Sequence, residues 1–201
     1  LNNAGKKTGL MTTVGWGVDK IHEQKEHMTT VDSKLLNERI SKIVKSGAKY
    51  LVLEVTSHAL AQHRDLGIPI DIAVMTNVTH EHLDYHKTLE RYRDAKRKLF
   101  KKARFGIINA DDPSAKYFKK DVKKYITYGI NSGQYRAKNI KLSVNGVKYS
   151  LGDINISTRI PGKFNVYNSL AAALVGQHLG LTPPTPPSSG NVLPGQKQFD
   201  I

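Results

Sequence analysis

Up to Ile130 the apolar and polar positions follow two alternating rhythms. Short continuous apolar runs occupy residues 50–55, 70–78 and 105–112, and each breaks into small and polar residues at its carboxyl end. Between them, residues 36–44 and 89–100 carry apolar side chains three or four positions apart, the period of an amphipathic helix. Strand and helix therefore alternate. Strands apolar on both faces predict an α/β fold: a mostly parallel sheet flanked by helices, with ligands gathering at the strands' carboxyl ends. The polar residues at those ends are Glu54, Thr56, Ser57 and His58, then Thr76 and Asn77, then Asn109, Asp111 and Asp112.

After "YITYGI" the period changes to two, through "RAKNIKLSVNGVKYSLGDINISTRI", with Asn145-Gly146 and Gly152-Asp153 as turn signals. This predicts a small antiparallel β-meander. Pro161-Gly162 then precedes an alanine-rich helical pattern ending near Gly180, and "TPPTPPSSGN" has the composition of a linker.

Composition narrows the classes. The 201 residues suffice for one good core, 39% are apolar, and no run approaches the ~18 apolar positions of a membrane span. A soluble, cytoplasmic chain without secretory signal or membrane insertion is expected. Cysteine is absent, which removes disulfides and thiolate metal sites and points any metal toward harder ions such as magnesium. The formal charge of +14 fits a polyanion partner, an anionic small substrate or lysine-rich solvated faces. Nucleic acid is set aside, because the basic residues form no aromatic-interleaved stripe or known motif.

One stretch resists this scheme. "HEHLDYH", residues 80–86, places three histidines and two acids together, and a metal site, a surface and a core all remain open. His82 and His86 stand one helical turn apart, but Leu83-Asp84-Tyr85 replaces the glutamate-containing middle of a zinc-protease motif. A carboxylate at Glu54 and an imidazole in this cluster would suit one cation at a sheet edge.

"EVTSHAL", "TNVTHEHLDYH", "YRDAKRKLF", "INADD" and "GKFNVYNSLAA" occur in an order and spacing that resembles the central domain of the Mur ligase family. Within the family the likeness is greatest to ligases that add the third amino acid to UDP-N-acetylmuramoyl-dipeptide. It covers residues 1–181, with 182–201 as a proline-rich linker and the start of a carboxy-terminal domain. The resemblance implies a nucleoside-triphosphatase-like α/β domain, ATP and Mg2+ as cofactors, and UDP-N-acetylmuramoyl-dipeptide and an amino acid as substrates. A non-catalytic module that binds a nucleotide sugar or another polyanion is the alternative.

The family's magnesium ligands fall on Glu54 and His82, and its carbamylated lysine on Lys96, the three together forming the implied catalytic set. On periodicity alone Lys96 belongs to a solvated basic helix face. The sugar-nucleotide contacts fall on Thr29, Thr30, Thr56, Gln62 and Arg64, whose hydroxyls and guanidinium suit a diphosphate and a carboxylate. Base and ribose contacts fall on Asn109 or Asp112 and on Asn165 or Asn168, with Asn168 preferred because Asn165 can equally cap the helix that begins there.

Departures accompany the matches: Met28 stands where the family often has asparagine, Val31 where it has proline, Thr56 where it has serine, and Gln196 where it has arginine. No Gly-X-X-X-X-Gly-Lys-Ser/Thr loop occurs. The expectation is accordingly a central-domain fragment, inactive by itself.

Overall fold

The computed structural model describes residues 1–26, 28–79, 83–181 and 197–200, Leu83 and the last four by backbone alone. They form two units, Leu1–Pro69 with His80–Leu99, and Ile70–Thr79 with Phe100–Ile201.

In the first unit, β1 (Thr8–Met11) pairs antiparallel with β2 (Gly15–Gly17), which pairs antiparallel with β3 (Ile21–Glu23). On its other side β1 pairs parallel with β4 (Tyr50–Leu53), giving the order β3-β2-β1-β4. Helix α1 (Ser33–Lys45) starts where the Asp32 carboxylate accepts the N–H groups of Lys34 and Leu35, satisfying donors that the first turn leaves free. Its apolar stripe explains its placement: Leu36 and Ile43 bury with Met11 and Val31 against Leu51 and Leu53. Three helices follow: α2 (Ser57–Ala61), α3 (Leu83–His86) and α4 (Leu89–Lys102), the last running on into the second unit.

The second unit holds an all-parallel sheet, β5 (Ile70–Met75), β6 (Ala103–Asn109), β7 (Tyr125–Gly129) and β8 (Tyr135–Arg136), in that order. The short helix α5 (Ala115–Phe118) lies between β6 and β7 in sequence. A meander of β9 (Lys138–Ser143), β10 (Gly146–Leu151) and β11 (Ile154–Thr158) is antiparallel, as its period predicts. Gly146 is required there: it has φ +136°, and a Cβ would collide with the Thr158 carbonyl. Helix α6 (Phe164–His178) lays Val166, Leu170 and Leu174, all fully buried, against Ile107, Tyr128, Val147, Tyr149 and Ile156. At roughly 2 kcal/mol per buried aliphatic side chain, this face anchors the helix. The strand β12 (Lys197–Asp200) pairs parallel with β11.

The α/β class, the parallel sheet and the meander agree with expectation. One detail differs. Among the described residues, the apolar runs at 50–55 and 70–78 fall in separate four-stranded sheets, β4 beside β1 in one and β5 beside β6 in the other. Hydrophobic runs define strands, but pairing depends on register, and β4 takes β1 as its neighbour among the described residues.

Candidate functional site

Six predicted residues meet in the first unit. The chain leaves β4 at Glu54, whose carbonyl accepts the Thr30 hydroxyl at 3.0 Å, while the Thr56 N–H donates to that same hydroxyl oxygen at 3.0 Å. Thr30, buried, thus clips the strand exit in place. The Thr56 hydroxyl caps α2 by accepting the Ala59 N–H, and keeping this oxygen is what a serine-to-threonine change preserves. Arg64 donates through Nη1 to the Thr30 main-chain carbonyl at 2.6 Å and, through Nε and Nη2, to the Gln62 side-chain Oε1. Gln62 in turn donates to the Tyr85 hydroxyl. Glu54 itself is exposed, and one oxygen accepts from the Thr13 N–H at 3.0 Å and hydroxyl at 3.1 Å. The Thr13 and Thr29 hydroxyls share a bond of 2.9 Å.

Thr13 was not among the predicted residues. Its signal is weak, because a threonine in "MTTVG" reads as a turn former. The departures also find places: the Met28 sulfur accepts from Arg64 Nη1 at 3.3 Å, and Val31 is fully buried in the core. Gln196 lies outside the described residues.

The histidine cluster is answered in part. His80 and His82 lie outside the described residues, but His86 is 6% exposed and its Nε2 shares a 2.9 Å hydrogen bond with the Ser57 hydroxyl at the start of α2. That histidine is core. Lys96 is half-buried on α4, its ammonium 4.9 Å from the centre of the buried Tyr92 ring one turn earlier. Among the described residues, no three His, Cys, Asp or Glu side chains cluster closely enough to hold a metal ion.

The second unit contains a cleft of about 190 Å³ at the carboxyl ends of β5 and β6, walled by the start of α6. Asn109, Asp112 and Asn168 line it, together with Asp111, Phe164 and Tyr167. Asn165 does not; its amide donates back to the Pro161 carbonyl at 2.7 Å, so it ties the helix to the preceding turn instead of accepting a terminal N–H.

The lining residues divide by what their polar atoms already do. Asn109 is buried, donates to the Thr76 carbonyl at 2.7 Å and accepts the Asp111 N–H. Asp112 accepts the Val78 N–H with one oxygen and the Ser114 N–H with the other, both at 2.7 Å. These bonds build the cleft wall and use one lone pair on each Asp112 oxygen. Phe164, 74% exposed, and Asn168 one turn on offer an aromatic face and an amide carbonyl to whatever enters.

Asp111 is the most heavily used. Its carboxylate accepts the N–H groups of Ile130, Asn131 and Ser132 and the hydroxyls of Ser132 and Tyr167, at 2.7 to 2.9 Å. Burial pushes its pKa upward, but the Asn131 N–H, the Ser132 hydroxyl, the Ile130 N–H and the Tyr167 hydroxyl outweigh that and hold it at about 2. Burial, reinforced by the Asp111 charge, pushes Tyr167 to about 12, so it stays a donor at neutral pH.

Residues 1–176 match the family model described as the Mur ligase middle domain. The chain belongs to the Mur ligase family. It is 41% identical over 188 residues to a protein of Caldanaerobacter subterraneus subsp. tengcongensis named UDP-N-acetylmuramoyl-L-alanyl-D-glutamate–2,6-diaminopimelate ligase, covering 90% of this chain and 39% of the relative. It is 35% identical to the UDP-N-acetylmuramyl-tripeptide synthetase of Deinococcus radiodurans, with the same coverage of 90% and 39%. A solved UDP-N-acetylmuramoyl-L-alanyl-D-glutamate–2,6-diaminopimelate ligase superposes with a TM-score of 0.80 at 30% identity, covering 90% of this chain and 39% of that one. A MurF ligase of Thermotoga maritima in complex with ADP shares the fold at a TM-score of 0.56 and 21% identity, over 67% of this chain and 34% of that one. This Mur ligase chain thus spans about two-fifths of the length of the relatives it matches.

Proposed function

We propose that the chain carries the middle-domain chemistry of an ATP-dependent ligase that adds the third amino acid to UDP-N-acetylmuramoyl-dipeptide in the cytoplasm. The observation that carries this reading is the 41% identity over 90% of the chain to a ligase named for that dipeptide. The network joining Thr29, Thr30, Glu54, Thr56, Gln62 and Arg64 supports it, because those are the positions the family resemblance assigns to the sugar-nucleotide and the metal.

In this reaction a terminal carboxylate of the dipeptide attacks the γ-phosphorus of ATP, ADP leaves, and an acyl phosphate forms. The amino group of the third residue then attacks the acyl carbon, loses a proton and expels phosphate. The chain's residues hold and orient. Arg64, already fixed by Gln62 and the Thr30 carbonyl, presents its remaining Nη2–H to an anionic group of the sugar-nucleotide. Thr30 and Thr56 contribute mainly by holding the strand exit, since their hydroxyls are occupied internally. The second-unit cleft takes the adenine and ribose of ATP, with Phe164 and Asn168 as contacts.

Glu54 fits Mg2+: one oxygen is fixed by Thr13 and the other has no hydrogen-bond partner among the described residues. Mg2+ typically takes one or two carboxylates, with waters and substrate phosphates completing its shell. When bound, it would neutralise charge on the phosphoryl group in transit. His82 is proposed as its second protein ligand and Lys96, carbamylated, as the third group of this set.

The test is made in a ligase containing this middle domain together with the remainder of its relatives' length. Amino-acid-dependent ADP release with UDP-N-acetylmuramoyl-dipeptide is expected, and Lys96→Ala should cripple turnover, with partial rescue by a short carboxylic acid. Sugar-nucleotide binding without any ADP release would favour the non-catalytic module instead.

A further inference from the structure

Asp111 invites the obvious reading of an acidic residue in a nucleotide cleft, an acceptor for ribose hydroxyls. Its geometry argues otherwise. Oδ1 accepts the Ser132 N–H and Ser132 hydroxyl, while Oδ2 accepts the Ile130 and Asn131 N–H groups and the Tyr167 hydroxyl. A carboxylate offers about four lone-pair sites, and five donors already converge on this one. No capacity remains for a ligand.

We infer that Asp111 is a positioning residue: it presets the second-unit cleft by clamping the Ile130–Ser132 turn and the Tyr167 hydroxyl of α6 to the loop after β6. This rests on the nucleotide reading of that cleft for its ligand.

Three separate stretches meet at the one carboxylate. Successive main-chain N–H groups at 130, 131 and 132 curve around it as such groups do around bound anions, and the chain's own side chain serves as the anion. Gly129 makes room: a Cβ there would stand 2.9 Å from both the Asp111 Cγ and Oδ1. On the other side, the Asp111 N–H donates to buried Asn109, which holds the Thr76 carbonyl after β5. Tyr167 lies between Phe164 and Asn168 on α6, all three at the cleft, so fixing its hydroxyl fixes the helix turn that presents the two contact residues. A carboxylate that held the fold alone would not need to reach a cleft-lining hydroxyl.

The experiment measures adenosine and ADP binding to the 201-residue chain by calorimetry, with amide exchange at Ile130, Asn131 and Ser132 followed by NMR. Tyr167→Phe removes only the hydroxyl and its single bond to Asp111, and should lower the melting temperature by no more than a few degrees while the chain stays folded. With the α6 turn no longer held, ADP binding should weaken about tenfold. Asp111→Ala should weaken it at least as much and speed exchange at all three amides, and formate, which supplies the missing carboxylate, should restore both saturably while formamide does not.

Wild-type affinity in a folded Tyr167→Phe or Asp111→Ala variant would overturn the inference. So would exchange at 130–132 that does not respond to Asp111→Ala. If Asp111→Ala does not fold, Tyr167→Phe alone decides. A wild-type chain that binds neither adenosine nor ADP, with the amides still responding to Asp111→Ala and formate, would overturn the nucleotide reading while leaving the clamp standing; that outcome separates the two failures.

Discussion

The two units use polar side chains in opposite ways. In the first, residues assigned to substrate bond directly to one another: Arg64 to Gln62 and to the Thr30 carbonyl, Thr30 to the chain on either side of Val55. In the second, Phe164 and Asn168 line the cleft from the same helix turn as Tyr167, and the bond that holds this turn is the one from the Tyr167 hydroxyl to Asp111. A contact network that is also its own scaffold should lose binding and local stability together. A scaffold separate from its contacts should let the two be uncoupled.

The strongest way to break the second region without touching the first is Leu170→Ala. Leu170 is fully buried at the centre of the α6 face, and truncation leaves a cavity as well as losing transfer energy. A cost of about 3 kcal/mol is expected, read as a fall in the denaturation midpoint. Amides of α1 and β1 in the first unit should keep their relative protection if the units open independently.

Acid sharpens the contrast next. The Asp111 pKa is depressed from 3.8 to about 2, so its contribution is present above 3.8 and is lost as pH falls through about 2. Because Asp111 is partly open to solvent, which screens its interactions, only part of that shift should appear as stability at neutral pH. Stability followed from pH 5 to pH 1.5 should fall more steeply in wild type than in Asp111→Asn, and parallel curves would remove Asp111 from the account.

The smallest effect belongs to the first region. Thr56→Ala removes the α2 cap and should cost about 1 kcal/mol, whereas Thr56→Ser should be close to neutral. Sugar-nucleotide affinity in a complete ligase should fall in step with that stability loss for the alanine variant, as self-scaffolding requires.

What the sequence disclosed follows the same division. The helices α1 and α4 and the strands β5 and β6 were legible because a 3.6-residue stripe or an unbroken apolar run is a local property. Thr30, Thr56, Gln62 and Arg64 were named by resemblance to the family, and what the structure adds is that they share one hydrogen-bonded network. His86 was not legible, because whether an imidazole at the end of "HEHLDYH" faces a metal, water or Ser57 depends on a partner 29 residues away. Asp111 was hidden for a similar reason: the sequence shows two adjacent aspartates after a strand, and nothing nearby says that the first will reach the N–H groups of 130–132. Asn109 and Asp112 came as contacts from resemblance to the family; their bonds to the Thr76 carbonyl and to the N–H groups of Val78 and Ser114 span the fold and could not be read from the sequence.

The path of the chain has its own consequence for biosynthesis. It leaves the first unit at Pro69, contributes Ile70–Thr79 to the second, returns through residue 99 and only then completes the second. The strand β5 therefore emerges from the ribosome well before β6, its sheet neighbour among the described residues, with Ile72 waiting for Phe105. Parallel pairing across such an interval is slow, and an apolar strand without its neighbour is an aggregation hazard in the meantime. Once residue 102 has cleared the ribosomal exit tunnel and β6 has not, the first unit's residues are all outside with β5 unpaired, the stage at which a chaperone would be needed most.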